Sequence, residues 1–222
     1  MSDVECKDPG NLPKWGFMDL AAWKLVPEMF GGGRAYIQRF KDAWVRHNKR
    51  TIIQTAHRLS MPPQLLAGVC WIEVGGDPNV IDDVAFGVRS FDWSGGPAID
   101  LRTVTKNPTL TSFGSVSIQL RVAAETLGLD ASKMSYSELR TLATCIEQDT
   151  YNIEVVAKHL RQLINHDKFQ QNNTPLTMDQ VRVVGARYNR GAALSLEKIK
   201  KNTSYGDFIV KFWPRFTGLL EL

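Results

Sequence analysis

A glutamate closes an apolar segment in "LLAGVCWIEVGG", residues 65–76. At helical spacing Glu73 shares a face with Leu66, Val69 and Cys70, so a helix here aims a carboxylate along its apolar stripe. A solvated glutamate has a pKa of ~4.3, and apolar surroundings push it upward. Glu73 is therefore a candidate proton donor near neutral pH. Gly75 and Gly76 follow after Val74 and leave the helix end open to a ligand. The plainer alternative is a glutamate that ends a helix and turns to solvent.

Three other groups bear on chemistry. The polar stretch 77–113 carries Asp82, Asp83 and Asp92, with Phe91 and Trp93 beside the last. Any of these aspartates could supply a second carboxylate, and Trp93 could stack on a ligand, although most loop aspartates only form turns. "TSFGSVSIQL", 111–120, is a Ser/Gly turn entering a helix, with Gln119 near its start. "ARYNRGAA", 186–193, ends a helix in Tyr188, Asn189 and Gly191. The structural alternatives are a surface amide for Gln119, a core ring for Tyr188, and a turn with a left-handed Gly191 cap for Asn189. Trp71 and Trp213 read as core. His47, His57, His159 and His166 lack ligand spacing, so no metal site and no cofactor are expected. Ser94, in "WSGG", lacks the Gly-x-Ser-x-Gly context of a nucleophile elbow.

The elements that hold these residues are mostly helical. Residues 35–59 have apolar positions at helical spacing, and Pro62–Pro63 suit the start of the next helix, which runs to Glu73. Residues 77–113 are long for a loop and could hold a short hairpin around 84–91. "SVSIQLRVAAETLG" is helical and closes at Gly128. Ser135 with Glu138 forms a capping box that opens a helical stretch to about Asn165, and Thr177 with Gln180 forms another. Residues 204–220 give a last amphipathic segment. Residues 1–33 read as an irregular arm with a short helical piece around 17–29. The fold class is mainly α with a long polar loop or small β-hairpin.

A hydrophobic content of 43% with 23% charged residues supports an ordinary globular core. No run of eighteen apolar residues occurs, so no stable membrane insertion is expected. The net charge of +4 suits an acidic partner. Lysines and arginines are scattered rather than interleaved with aromatics on one face, which disfavours nucleic acid. Cys6, Cys70 and Cys145 are odd in number and form no Cys-x-x-Cys pair, which disfavours a zinc site and a disulfide framework. Cys70 reads as a small buried hydrophobe. "MSDVECKDPGNLPKWG" has no Sec-type pattern, so synthesis in the cytoplasm without a Sec signal is expected.

In their order, "RTIIQTAHRLSMPPQLLAGVCWIEVGG", "TSFGSVSIQL" and "YNRG" resemble the lysozyme-like muramidase superfamily, that is, goose-type lysozymes and soluble lytic transglycosylases. The resemblance covers roughly 45–195. It implies a goose-type helical domain over 34–222 after the arm of 1–33. It also implies cleavage of the β-1,4 MurNAc–GlcNAc linkage of peptidoglycan, with Glu73 as general acid. Tyr188 would lie near Glu73, Asn189 would order its turn, and Gln119 would line the sugar groove. Gln119 lies five residues after Gly114, where the family has three. Arg121 stands where goose-type lysozymes carry a second aspartate. Asp82, Asp83 or Asp92 would then replace it in hydrolysis; a lytic transglycosylase needs none. A cell-wall-lytic effector exported by a non-Sec route, or a phage-type endolysin, would act in the periplasm or wall. An effector would meet an immunity protein or a secretion-machinery component. The rival from another class is a non-catalytic peptidoglycan- or glycan-binding module on the same fold.

Overall fold

A computed structural model describes residues 6, 14–75, 112–170 and 174–222. Among them are eleven α-helices and one two-stranded sheet, a mainly α architecture. None of the described helices is long and apolar enough to cross a membrane. The chain divides into two compact units, Met1–Phe40 with Glu73–Asn152, and Lys41–Ile72 with Ile153–Leu222.

In the first unit, α1 (Phe17–Lys24) and a 3-10 turn (Glu28–Phe30) occupy the region where a short helical piece is expected. They lead into α2 (Gly33–His47), whose first half belongs to this unit. Trp15 packs edge-on against Phe40 of α2, with ring centroids 4.6 Å apart. Later in the chain, α3 (Lys49–Arg58) and α4 (Pro63–Glu73) form the expected helix–turn–helix. Ser60 takes φ 53° in the turn, and the Met61 N–H closes back on the Ala56 carbonyl.

The hairpin expected around 84–91 falls outside the described residues. A sheet does occur at β1 (Ser112–Phe113) and β2 (Ile118–Gln119), paired antiparallel as Ser112 with Gln119 and Phe113 with Ile118. The sequence there reads as helix, yet the helix α5 (Leu120–Thr126) starts only after Gln119. The side-chain amide of Asn152 explains the difference. It accepts from the Val116 N–H and donates to the Val116 carbonyl, pairing with that backbone as a strand would. Gly114 turns the hairpin at φ 83°, and a Cβ there would sit 2.5 Å from the Ile146 carbonyl oxygen. Only glycine fits.

The Ser135–Glu138 capping box opens α6 (Tyr136–Ile146) as expected. The stretch is not continuous to residue 165, because a new helix, α7 (Asp149–His166), begins after Gln148. Asp149 is buried at its first turn and accepts a hydrogen bond from the Ser115 hydroxyl. That bond explains the break, since a carboxylate is favoured at a helix N-terminus. Cys145 forms a disulfide with Cys6, with Cα atoms 5.3 Å apart. This corrects the expectation that a disulfide framework is disfavoured. The two lie 139 residues apart, and spacing at that range carries no pairing signal. Cys70 takes no part in a disulfide and is buried, as expected.

The second unit holds the body of α4, with Leu65, Leu66, Val69 and Cys70 fully buried. The Thr177–Gln180 box opens α8 (Met178–Arg190), followed by α9 (Leu196–Lys200). The last amphipathic segment is two helices, α10 (Ser204–Lys211) and α11 (Trp213–Leu220), with Pro214 in the first turn of α11. Proline lacks the N–H an unbroken helix would use there, which accounts for the split. Helices α8 and α10 meet at Gly185 and Gly206, where a Cβ on Gly206 would lie 2.0 Å from the Arg182 carbonyl oxygen.

Candidate active site

Glu73 is the last residue of α4 and is half-buried, while its stripe-mates Leu66, Val69 and Cys70 are fully buried. The fully buried part of the apolar stripe therefore ends about one turn before Glu73. Gly75 follows at φ 77°, a conformation that strains any residue with a Cβ, and turns the chain out of the helix.

Within the second unit, the last carbonyls of α4 before Glu73 have a partner. A helix leaves its last four carbonyls without intrahelical partners, and they form the negative end of its dipole. Lys41 of α2 is 8% exposed and donates from Nζ to the carbonyls of Trp71, at 2.9 Å, and Ile72, at 2.6 Å. These carbonyls stand two and one residues before Glu73. The ammonium satisfies them and meets the dipole's sign.

The Trp71 ring is locked as well. Its Nε1 donates to Asp42 Oδ1 at 2.8 Å. Its face stacks on Phe208 at 5.6 Å, and the Arg215 guanidinium sits 5.2 Å from its centre. Arg215 in turn donates to both Asp42 oxygens, at 3.0 and 2.8 Å. Lys41, Asp42 and Arg215 thus hold Trp71 and Ile72, the two residues just before Glu73. The backbone from which Glu73 springs is thereby held in place.

Sequence reasoning missed Lys41, Asp42 and Arg215, although the signal for Lys41 was present. Lys41 lies four after Ile37 and three before Trp44, both buried, so it stands on the apolar stripe of α2. The reasoning that singled out Glu73 applies equally to it.

Gln119 is exposed at the N-cap position of α5, displayed by the β1–β2 hairpin. Tyr188 lies in the last turn of α8, half-buried, with its ring 5.8 Å from His159 and 6.0 Å from Tyr205. Burial pulls the His159 pKa from 6.5 to about 4, so this neighbour of Tyr188 is neutral at ordinary pH. Asn189 is exposed. Gly191 has φ 84° and ψ 168°, a positive φ with an extended ψ, which differs from the left-handed cap of the structural alternative. In the turn after α8, Arg187 is buried and doubly bonded to Asp167, and Arg187 also donates to the carbonyls of Ala192 and Leu194. That arginine too is absent from the sequence reading.

Glu73 and Gln119 belong to the first unit, Tyr188 and Asn189 to the second. Asp82, Asp83, Asp92, Phe91 and Trp93 lie outside the described residues. Arg121 pairs with Glu125 at 3.9 Å, four residues on. Among the described residues no group of three His, Cys, Asp or Glu side chains is arranged to hold a metal ion. No family model, no curated protein and no solved structure matches the chain.

Proposed function

We propose that the protein is a peptidoglycan muramidase of the lysozyme-like kind, cleaving the β-1,4 MurNAc–GlcNAc linkage with Glu73 as general acid. The observation that carries the reading is the braced helix end: a half-buried carboxylate on the last residue of α4, with the two preceding carbonyls bound by a buried lysine. Protonating the leaving oxygen of a glycosidic bond requires a carboxyl group held in place, and rigid support of this kind suits that task. The order of Glu73, the Gly114 turn leading to Gln119, and Tyr188–Asn189 supports the same reading. Each of the last two is an exposed or half-exposed group beside an element that fixes it.

The Cys6–Cys145 disulfide favours an oxidising compartment, in keeping with action in the periplasm or cell wall. Arg121 supplies no carboxylate beside Gln119. Hydrolysis would therefore draw on Asp82, Asp83 or Asp92 to hold water opposite Glu73. Without such a group the sugar's own 6-hydroxyl attacks and leaves a 1,6-anhydro end. Clearing of purified cell walls, wild type against Glu73→Gln, tests the assignment. If both proteins bind walls and neither clears them, the non-catalytic glycan-binding module is the correct reading.

A further inference from the structure

Residues 14–39 present an apolar surface that the glycosidase reading does not use. Neither α1 nor the 3-10 turn after it contains a buried residue. Met18 is 83% exposed, Leu25 79%, Met29 82% and Phe30 72%, with Phe17 and Val26 exposed beside them. Six large apolar side chains within fourteen residues exceed the scattered exposure normal for a protein surface.

The segment is folded firmly, so its exposure is built in rather than the fraying of a tail. Asp19 Oδ1 accepts from the Tyr36 hydroxyl at 2.6 Å, and its Oδ2 accepts from the Gly16 N–H at 2.8 Å. Glu28 Oε1 accepts from the Arg34 N–H at 3.1 Å, and Arg39 donates to the Gly31 carbonyl at 2.6 Å. Gly32 lies so close beneath Val26 that a Cβ there would sit 2.2 Å from the Val26 carbonyl oxygen. These contacts hold the apolar side chains outward.

The charge around them is basic. Between residues 14 and 39 stand Lys14, Lys24, Arg34 and Arg39 against Asp19 and Glu28, a net +2. Both carboxylates are turned to contacts within the segment, whereas Lys14, Lys24 and Arg34 are exposed. Lys24 rests its ammonium 3.7 Å from the centre of the Trp23 ring, the pairing of aromatic body and cationic tip that suits a membrane–water boundary.

From these observations we infer that residues 17–30 dock the protein onto the surface of a bilayer with anionic headgroups. Phe17, Met18, Leu25, Met29 and Phe30 enter the headgroup boundary, and Lys24 and Arg34 meet lipid phosphates. The segment lies on the bilayer without crossing it. Apolar burial and attraction to anionic lipid add in such binding, at about 1 kcal/mol per basic residue near the surface, or roughly fivefold in partitioning. The inference does not depend on the muramidase reading.

The test is co-sedimentation of the purified full chain with vesicles. One set is phosphatidylethanolamine with phosphatidylglycerol, the other phosphatidylcholine alone. Wild type is expected to sediment with the anionic vesicles and much less with the neutral ones, and to be released as salt rises. Met18→Ser/Met29→Ser/Phe30→Ser is expected to lose binding on the order of 30-fold or more. Lys24→Glu/Arg34→Glu should lose tenfold or more on anionic vesicles alone. These residues are exposed, so circular dichroism should match wild type, and Leu129→Ser, an exposed apolar position outside the segment, should bind normally. Failure of wild type to bind anionic vesicles at low salt overturns the inference, as does equal binding by the triple variant. So does dimerisation without lipid that the triple variant abolishes, since the occupant of the face would then be a second copy of the chain.

Discussion

Lys41 Nζ lies 2.6 Å from the carbonyl oxygen of Ile72, the residue immediately before Glu73. An ammonium on α2 therefore fixes the backbone from which the candidate acid springs. Methionine at this position keeps the stem's apolar volume and removes the donor from two carbonyls, that of Trp71 in a buried setting and that of Ile72 in a partly buried one. Each such loss costs about 1–3 kcal/mol. Lys41→Met should lower the melting temperature measurably. On the muramidase proposal it should also reduce kcat more than KM in wall digestion, because Glu73 is then held less firmly. Unchanged stability together with unchanged turnover would show that the lysine braces nothing.

His159 sets a pH dependence of folding. Its folded pKa of about 4 lies below the ordinary 6.5 because burial disfavours the imidazolium. The unfolded chain therefore takes up this proton first as the pH falls. Stability is unaffected by this group above pH 6.5, is lost progressively between about 6.5 and 4, and stays lost below. The full loss is on the order of 3 kcal/mol. Denaturant titrations of wild type and His159→Gln across that window should diverge, with the variant losing less as pH drops. Parallel curves would mean the imidazole titrates normally in the fold.

The helix crossing in the second unit leaves no room for a methyl group. A Cβ on Gly206 would meet the Arg182 carbonyl oxygen at 2.0 Å, a backbone atom that cannot swing aside. Gly206→Ala should destabilise by about 3 kcal/mol or more, since α8 must shift from α10. A milder case is Gly68, whose Cβ would lie 2.8 Å from Ile209 Cγ2 and 3.0 Å from Phe216 Cε2, side-chain rather than backbone atoms. Gly68→Ala should cost less, and thermal unfolding of the two variants should rank them in that order.

The disulfide closes a loop of 139 residues. Constraining so long a loop in the unfolded chain is worth up to about 5 kcal/mol in the chain-entropy view, with 2–4 kcal/mol typical. Reductant should lower the melting temperature of wild type and leave Cys6→Ser/Cys145→Ser, already lower, where it is. A shift of equal size in both proteins would assign the effect to something other than this bond.

Local signals were legible in the sequence. Both capping boxes open helices where Ser135 and Thr177 announce them, and the helix–turn–helix ending at Glu73 lies where Pro63 and Gly75 bound it. What the sequence hid was made by contacts distant in the chain. Asn152 turns residues 112–119 into a hairpin by pairing with Val116, and Asp149 starts a new helix by binding Ser115. Neither partner can be inferred from spacing. Lys41 was hidden differently: it occupies an apolar position that periodicity marks, but a charged residue on an amphipathic helix reads by default as solvated. The loop aspartates remain where the sequence put them, as candidates beyond the described residues.

The central claim is that Glu73 protonates a glycosidic oxygen of peptidoglycan. The most direct measurement is release of soluble muropeptides from purified cell walls, followed by mass spectrometry, for wild type and Glu73→Gln at equal melting temperature. The amide keeps the shape and cannot donate a carboxylic proton, so release should fall on the order of 10²–10⁴-fold. Products with reducing ends, lost on Asn substitution at Asp82, Asp83 or Asp92, would mark hydrolysis, and products lighter by one water would mark transglycosylation. Release by Glu73→Gln at close to the wild-type rate would contradict the account.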